Sequence, residues 1–344
     1  MSLVDDPPVV ICVPARNEER ALPGLIDALA GLTVDGRAPV VCVYLDACVD
    51  GSEAVVRAAS ARLPFAIDVA VGTGDHPSNA GLARRAAMAM GIARLAGREG
   101  LLFATDADSA PRADWIRAGR AALAEADVAA GRIVRRDAAI DGLQSRVERY
   151  YDRLHAYRRL VDPVVWEAHD THHCGGGANL AIMSSVYRAI GGFRPLPFAE
   201  DATLLDDAAR AGFRVRRDNA MVVETSSRRQ GRAPGGLASA LRALDDGALP
   251  RVAHPFALAW QWREHAAMRF GFSLLDDRGV RTRLGRRLGL SADHVLGVAR
   301  DCTNAEAFAM RIVPAPPDGD RLIALNDAED ALSLLESEWC EAAA

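Results

Sequence analysis

The stretch Gly100-Leu101-Leu102-Phe103-Ala104-Thr105-Asp106-Ala107-Asp108 (GLLFATDAD) decides the fold. Residues 100–105 read as a buried strand that runs straight into two carboxylates spaced one apart, Asp106 and Asp108. A strand tip that presents oxygen ligands suits a hard divalent cation such as Mn²⁺ or Mg²⁺. Such ions keep several waters and share the rest of their shell with substrate phosphates. In an open α/β sheet, ligands bind outside the carboxyl ends of the strands. Position and chemistry together point to a site for a metal and a diphosphate. A lone Asp-x-Asp is common in turns, so the reading depends on its surroundings.

Upstream, VVICV (9–13) is a continuous β-branched run, expected to be a parallel strand stopped by Pro14. A polar loop, Ala15–Glu19, leads to a helix through about Ala30. Residues 39–45 form a second strand ending at Asp46, and Asp50 or Ser52 caps the helix that follows it. Strand 65–71 and helix 80–97 complete the approach to strand 100–105. Downstream come a helix (113–125), a strand (127–134), a charged helix (143–160) and the glycine-rich segment 170–177. A strand at 179–183, a helix into Gly191-Gly192-Phe193, a helix from Ala199 to Ala211 and two strands, 213–217 and 220–224, follow. This alternation predicts an α/β fold, a doubly wound mixed sheet with flanking helices. After Thr225 the chain turns basic and glycine-rich and then mostly helical. The expected division is therefore an α/β domain at 1–236 and a helical C-terminal extension at 237–344.

The chain has 344 residues, half of them hydrophobic, and a formal net charge of −5. That balance argues against nucleic-acid binding. No apolar run is long enough to span a bilayer, and the acidic N-terminus lacks a signal-peptide pattern. A cytoplasmic location follows, with peripheral contact at the inner membrane face as an option. The six cysteines show no paired spacing and read as reduced thiols. All 41 basic residues are arginine, so P-loop, Schiff-base and kinase-strand lysines are excluded. Any diphosphate must be neutralised by arginine, backbone N–H groups or metal.

The strings VPARNEE (13–19), LDACVDGS (45–52), ATDADS (104–109), GGGANLAI (175–182) with GGF (191–193), and AED (199–201) occur in this order. The pattern resembles the family-2 glycosyltransferases of the GT-A fold over about residues 8–236. The resemblance implies a metal-dependent, inverting transfer of a sugar from a UDP- or GDP-type donor. The acceptor would be a small-molecule, lipid-linked or glycan hydroxyl. It implies that Pro14, Arg16 and Glu18 line the nucleoside pocket and that Asp46 contacts the base. Asp106 would face the ribose or metal, Asp108 would bind the metal, and Asp201 would be the catalytic base. Gly177 and Asn179 would shape the donor-sugar and acceptor pocket, and Arg84 or Arg85 would meet the donor. Arg228, Arg229 and Arg232 are lid candidates over the diphosphate, because a guanidinium grips phosphate with two parallel hydrogen bonds.

Two departures stand out. Asp46 is followed by Ala47 and Cys48 where an acidic residue and serine are frequent. The segment Glu224–Arg228 also lacks the histidine that many relatives supply to the metal. A sugar nucleotidyltransferase is the alternative enzyme, although PARNEE has no glycine for its first loop. A non-catalytic nucleotide-binding protein of the same fold is the alternative class. His172 and His173 are adjacent and would alternate faces on a strand, which disfavours one shared metal. The aromatic run with Trp260, Trp262, Phe270 and Phe272 reads as core or a homodimer interface, with acceptor or lipid contact as the lesser option.

Overall fold

The computed structural model describes residues 7–343 except 74–78, 137, 140–141, 232–234, 317–318 and 320. The chain divides into two units. The first comprises the chain before Ala138, Ala168–Ala208 and Val215–Ala240. The second comprises Ala138–Glu167, Ala209–Arg214 and the chain from Leu241 onward.

The first unit is built on strands β1 (Val9–Ala15), β2 (Val40–Leu45), β3 (Ile67–Val71), β4 (Leu101–Ala104), β5 (Ser109–Pro111), β6 (Val128–Arg135), β7 (Leu180–Met183) and β8 (Val215–Thr225). They form one mixed sheet in the order β3-β2-β1-β4-β7-β6-β8-β5. β3, β2, β1 and β4 run parallel, and β7 is antiparallel to both of its neighbours. Both faces of β1, β2 and β4 are covered, which is why these strands are largely apolar and do not alternate, whereas the edge strand β3 carries Asp68 and is only partly buried. Val9, Ile11 and Val13 face a core shared with α1 (Leu22–Ala30), α2 (Ser52–Ala59) and α4 (Trp115–Glu125). On the opposite face, Val10, Cys12 and Leu102 surround Gly91 of α3 (Ala80–Leu95).

Pro14 does not stop β1. It pairs with Tyr44, and the strand runs on to Ala15. β4 has already ended at Ala104 beside Cys12, so no strand on that side requires the N–H that proline lacks. The two strands expected at 213–217 and 220–224 are one, β8. It absorbs a register shift where Gly131 faces Asp218 and Arg132 faces Val222. The α2 N-cap is Gly51, and the Ser52 hydroxyl instead accepts the Glu18 N–H at 2.8 Å. β5 was not expected from the sequence. It turns back directly after Asp108 and pairs with the end of β8, Ser109 opposite Thr225.

The second unit contains α5 (Leu143–Val161), a two-stranded sheet of β9 (Arg251–Ala253) and β10 (Leu322–Ala324), and helices α9 (Pro255–Gly271), α10 (Arg278–Leu288), α11 (Ala292–Arg300), α12 (Ala305–Ile312) and α13 (Leu325–Ala343). Three further helices follow α5 in the chain: α6 (Ser184–Ala189), α7 (Glu200–Arg210) and α8 (Leu237–Asp245). One core joins α5, α9 and α13 around Tyr150, Leu154, Ala259 and Leu332. A second joins α9 to α10, α11 and α12 around Met268, Val295 and Phe308. Of the aromatic run, Trp262 packs against the first of these cores, and Phe272 lies 5.4 Å from Phe308. Phe270 is 81% exposed. Among the described residues, no helix is long and apolar enough to cross a membrane.

Candidate active site

Because β1, β2 and β4 are adjacent and parallel, the loops after them share one rim of the sheet. The first two loops are laced together. Asn17 Oδ1 accepts the Val49 N–H, Ser52 Oγ that of Glu18, and Asp50 Oδ2 that of Glu19. Cys48, in the position where serine is frequent, accepts the Asn17 N–H on its sulfur at 3.3 Å. This lacing holds Glu18 and Asp46 inward, at 6% and 2% exposure.

A cavity of about 540 Å³ opens at that rim. Pro14, Arg16, Glu18, Asp46, Arg84, Asp106, Asp108, Gly177, Asp201 and Arg228 all line it. Ten of the expected site residues thus meet in one place, although Glu18 and Arg228 are 210 positions apart. Asn179 does not reach the cavity. It is fully buried, accepts the Trp115 indole N–H at 2.8 Å, and donates to the carbonyls of Arg132 and Met221. Its side chain ties α4 to β6 and β8, with both amide N–H groups engaged and the carbonyl oxygen turned to Trp115. Arg232 lies outside the described residues. Arg229 is not among the lining residues and donates to the Ser227 carbonyl. Arg85 faces the Phe193 carbonyl, which leaves Arg84 as the cavity arginine. His172 and His173 do not line the cavity, and Asp170 accepts from Asn219 instead.

Sequence reasoning missed Glu200. It is 4% exposed and binds Arg84 Nε at 2.7 Å. Arg84 also reaches Asp106 Oδ1 at 2.8 Å and donates to the Gly177 carbonyl at 3.0 Å. One guanidinium therefore joins the Asp106 loop, the glycine-rich loop and the start of α7. A Cβ on Gly177 would sit 2.5 Å from the Arg84 guanidinium carbon, so a side chain there would displace that guanidinium. The acidic neighbours Asp106, Glu200 and Asp201 hold Arg84 firmly charged against the opposing effect of its burial. The signal for Glu200 was its place beside Asp201 in the AED string.

Asp201 opens α7, and its Oδ2 accepts the Gly177 N–H at 2.8 Å. Ala199, just before this pair, has a positive φ of 58°. Asn17 and Ala47, next to Glu18 and Asp46, have φ values of 54° and 49°. Alanine in this region costs about 1–2 kcal/mol, and such strain clusters where side chains are aimed at ligands. Three of the four positive-φ non-glycine residues described thus flank the cavity carboxylates.

On the other wall, Arg228 grips Glu18 with both terminal nitrogens at 2.5 Å and reaches Asp108 Oδ2 at 3.1 Å. The β5–β8 pairing creates this contact by bringing the chain after Thr225 beside Asp108. Burial, Asp106 and Glu18 raise the Asp108 carboxyl to about 6, with Arg228 opposing. Arg16 pairs with Asp46 at 3.1 Å.

Six described carboxylates (Glu18, Asp46, Asp106, Asp108, Glu200, Asp201) line the cavity against three arginines. An anionic diphosphate would be repelled by that balance unless further positive charge accompanied it. A divalent cation fits on this count, and Asp106 and Asp108 supply hard oxygen ligands for it. Among the described residues, no three His, Cys, Asp or Glu side chains could enclose a metal. A cation held by Asp106 and Asp108 would therefore leave part of its shell to phosphate oxygens and water.

No family model and no curated protein matches the sequence. Solved structures do resemble the fold. Against S. aureus TarS 1–349 in complex with UDP-GlcNAc, the TM-score is 0.50 at 14% identity, covering 89% of this chain and 90% of that one. The match to the longer S. aureus TarS structure has a TM-score of 0.48 at 14% identity and covers 76% of this chain. The chain spans only 40% of that one. Mannosyltransferase PcManGT from Pyrobaculum calidifontis, in complex with GDP-Man and Mn²⁺, matches with a TM-score of 0.49 at 15% identity, covering 88% and 78% of the two chains. At such identities the likeness establishes the fold, a GT-A-like mixed sheet with flanking helices.

Proposed function

We propose that this chain is a glycosyltransferase of the family-2 type that moves a sugar, with inversion, from a UDP- or GDP-type donor to an acceptor hydroxyl. One observation carries the reading: Asp201 and the Asp106–Asp108–Arg228 group line the same cavity, with Gly176 to Ala178 also in its wall. Direct displacement at an anomeric carbon needs a base on the acceptor side and charge stabilisation on the leaving side. The complex of S. aureus TarS with UDP-GlcNAc supports the donor class.

In this reading, Pro14, Arg16, Glu18 and Asp46 receive the nucleoside. Asp201, steadied by the Gly177 N–H, takes the proton of the attacking hydroxyl. Arg228 stabilises charge that grows on the diphosphate as the sugar bond breaks, and a contact that strengthens in this way accelerates the step. Arg84 holds Gly177 and Glu200 in place around Asp201. Mn²⁺ or Mg²⁺ held by Asp106 and Asp108 would supply Lewis-acid neutralisation of the departing diphosphate. Small-molecule, lipid-linked and glycan acceptors all fit a hydroxyl nucleophile.

A thermal-shift panel of nucleoside diphosphates and their sugars, with and without Mn²⁺, tests the proposal. Selective stabilisation by one base, larger for the diphosphate than for the nucleoside, is expected. A panel in which no nucleoside diphosphate raises the melting temperature would contradict it.

A further inference from the structure

Arg228 has a second consequence, which rests on the reading of the cavity as a nucleotide-sugar site. The segment after β8, Glu224–Arg228, contains no histidine, and it is this segment that β5–β8 pairing delivers to Asp108. What arrives there is a cation. Arg228 spans Glu18 and Asp108, and Asp108 is 84% shielded from solvent in its side chain, at 16% exposure. The Arg228 side chain itself is 30% exposed, open enough to leave.

We propose that Arg228 and a divalent cation compete for Asp108. In the nucleotide-free protein, Arg228 is the internal counter-charge for Glu18 and Asp108, and it keeps the metal weakly bound. A diphosphate brings anionic oxygens that match a guanidinium better than a single shared carboxylate does. Arg228 then shifts its second arm from Asp108 to the phosphate, and Asp108 becomes available to the ion. Metal and nucleotide are thereby coupled: each binds better in the presence of the other, with Arg228 as the link. The same exchange gives the protein a metal-free affinity for nucleoside diphosphates, because Arg228 supplies part of the charge that the ion would otherwise bring.

Mn²⁺ titrations followed by electron paramagnetic resonance test this without any turnover, on the full chain free of nucleotide. Arg228→Gln should bind Mn²⁺ about tenfold more tightly than wild type, and Arg228→Lys, which keeps the charge, should stay within about threefold of it. Calorimetry with UDP and GDP in a chelator should show the converse, with metal-free affinity lost in Arg228→Gln. Since Arg228→Gln leaves Glu18 without its partner, Glu18→Gln/Arg228→Gln removes both charges together and should show the same gain in Mn²⁺ affinity. Equal Mn²⁺ affinity in wild type and both neutral variants would overturn the proposal, as would a gain of the same size in Arg228→Lys. If no variant bound either nucleotide under any condition, the functional reading would fall, and the Mn²⁺ comparison would still judge Arg228 separately.

Discussion

Arg84 connects more of the cavity than any other side chain described here, and it does so from inside, at 11% exposure. Its three contacts satisfy Asp106, Glu200 and the Gly177 carbonyl at once. Removing one member of a buried pair costs more than the pair contributes, because the remaining charge is stranded. Arg84→Ala should therefore lose about 3 kcal/mol of stability in urea denaturation. Unchanged stability would mean that the bridge is not formed in solution. Asn179 makes the opposite point. The GGGANLAI string holds Gly177, which lines the cavity, but it does not give the direction of the Asn179 side chain, because β7 begins at Leu180 and sets which residues turn inward. Asn179→Ala leaves the Trp115 N–H and two carbonyls without their partner, a cost of about 2–4 kcal/mol. Calorimetry on the folded variant should find nucleotide affinity within about threefold of wild type, as expected for a residue outside the cavity. A large loss of affinity without loss of stability would return Asn179 to the binding site.

At the scale of elements, the strands and helices around β1, β2 and β4 were legible because each buried strand is a continuous apolar run with a polar tip. The second half of the sheet was less so. Three residues are too few for β5 to show any period, and the bulge in β8 breaks its pattern into two apparent strands. Yet that pairing is what sets Arg228 against Asp108, a contact no local pattern could announce. The loop before α7 is positioned by α3 in a similar way. The Gly81 N–H donates to the Leu196 carbonyl at 2.9 Å, and a Cβ on Gly81 would lie 2.0 Å from the Arg194 carbonyl oxygen. Gly81→Ala must push residues 194–196, and with them the approach to Glu200 and Asp201. Transfer should fall by about tenfold to a hundredfold while nucleotide affinity holds, since small displacements of a base are costly to the chemical step. Steady-state rates beside calorimetry would check this, and wild-type turnover would refute it.

Across the whole molecule, the membership of α5 in the second unit could not be read locally, since its charged surface says nothing about its partners. Its contacts place Arg158 near a buried histidine of α9. His265 is 5% exposed and lies among Arg158, Arg269 and Arg210. Burial first, and then these three cations, lower its imidazole from the ordinary 6.5 to about 3. Between those values the unfolded chain binds the proton and the folded chain does not. Stability therefore falls as pH drops through that window. From pH 6.5 to pH 5 the loss should be about 1.6 kcal/mol, and His265→Phe should remove that part of the slope in urea melts across pH. An identical slope in the variant would rule out His265 as its source.

The proposed function requires Asp201 to face the bond that Arg228 and the Asp106–Asp108 pair would help to break. Its most direct test compares Asp201→Asn with wild type in two readings on the same sample: nucleotide-sugar affinity by calorimetry and the rate of sugar transfer by chromatography. The predicted result is affinity within about threefold and a transfer rate lower by at least about a hundredfold. Transfer at nearly the wild-type rate by Asp201→Asn would contradict it.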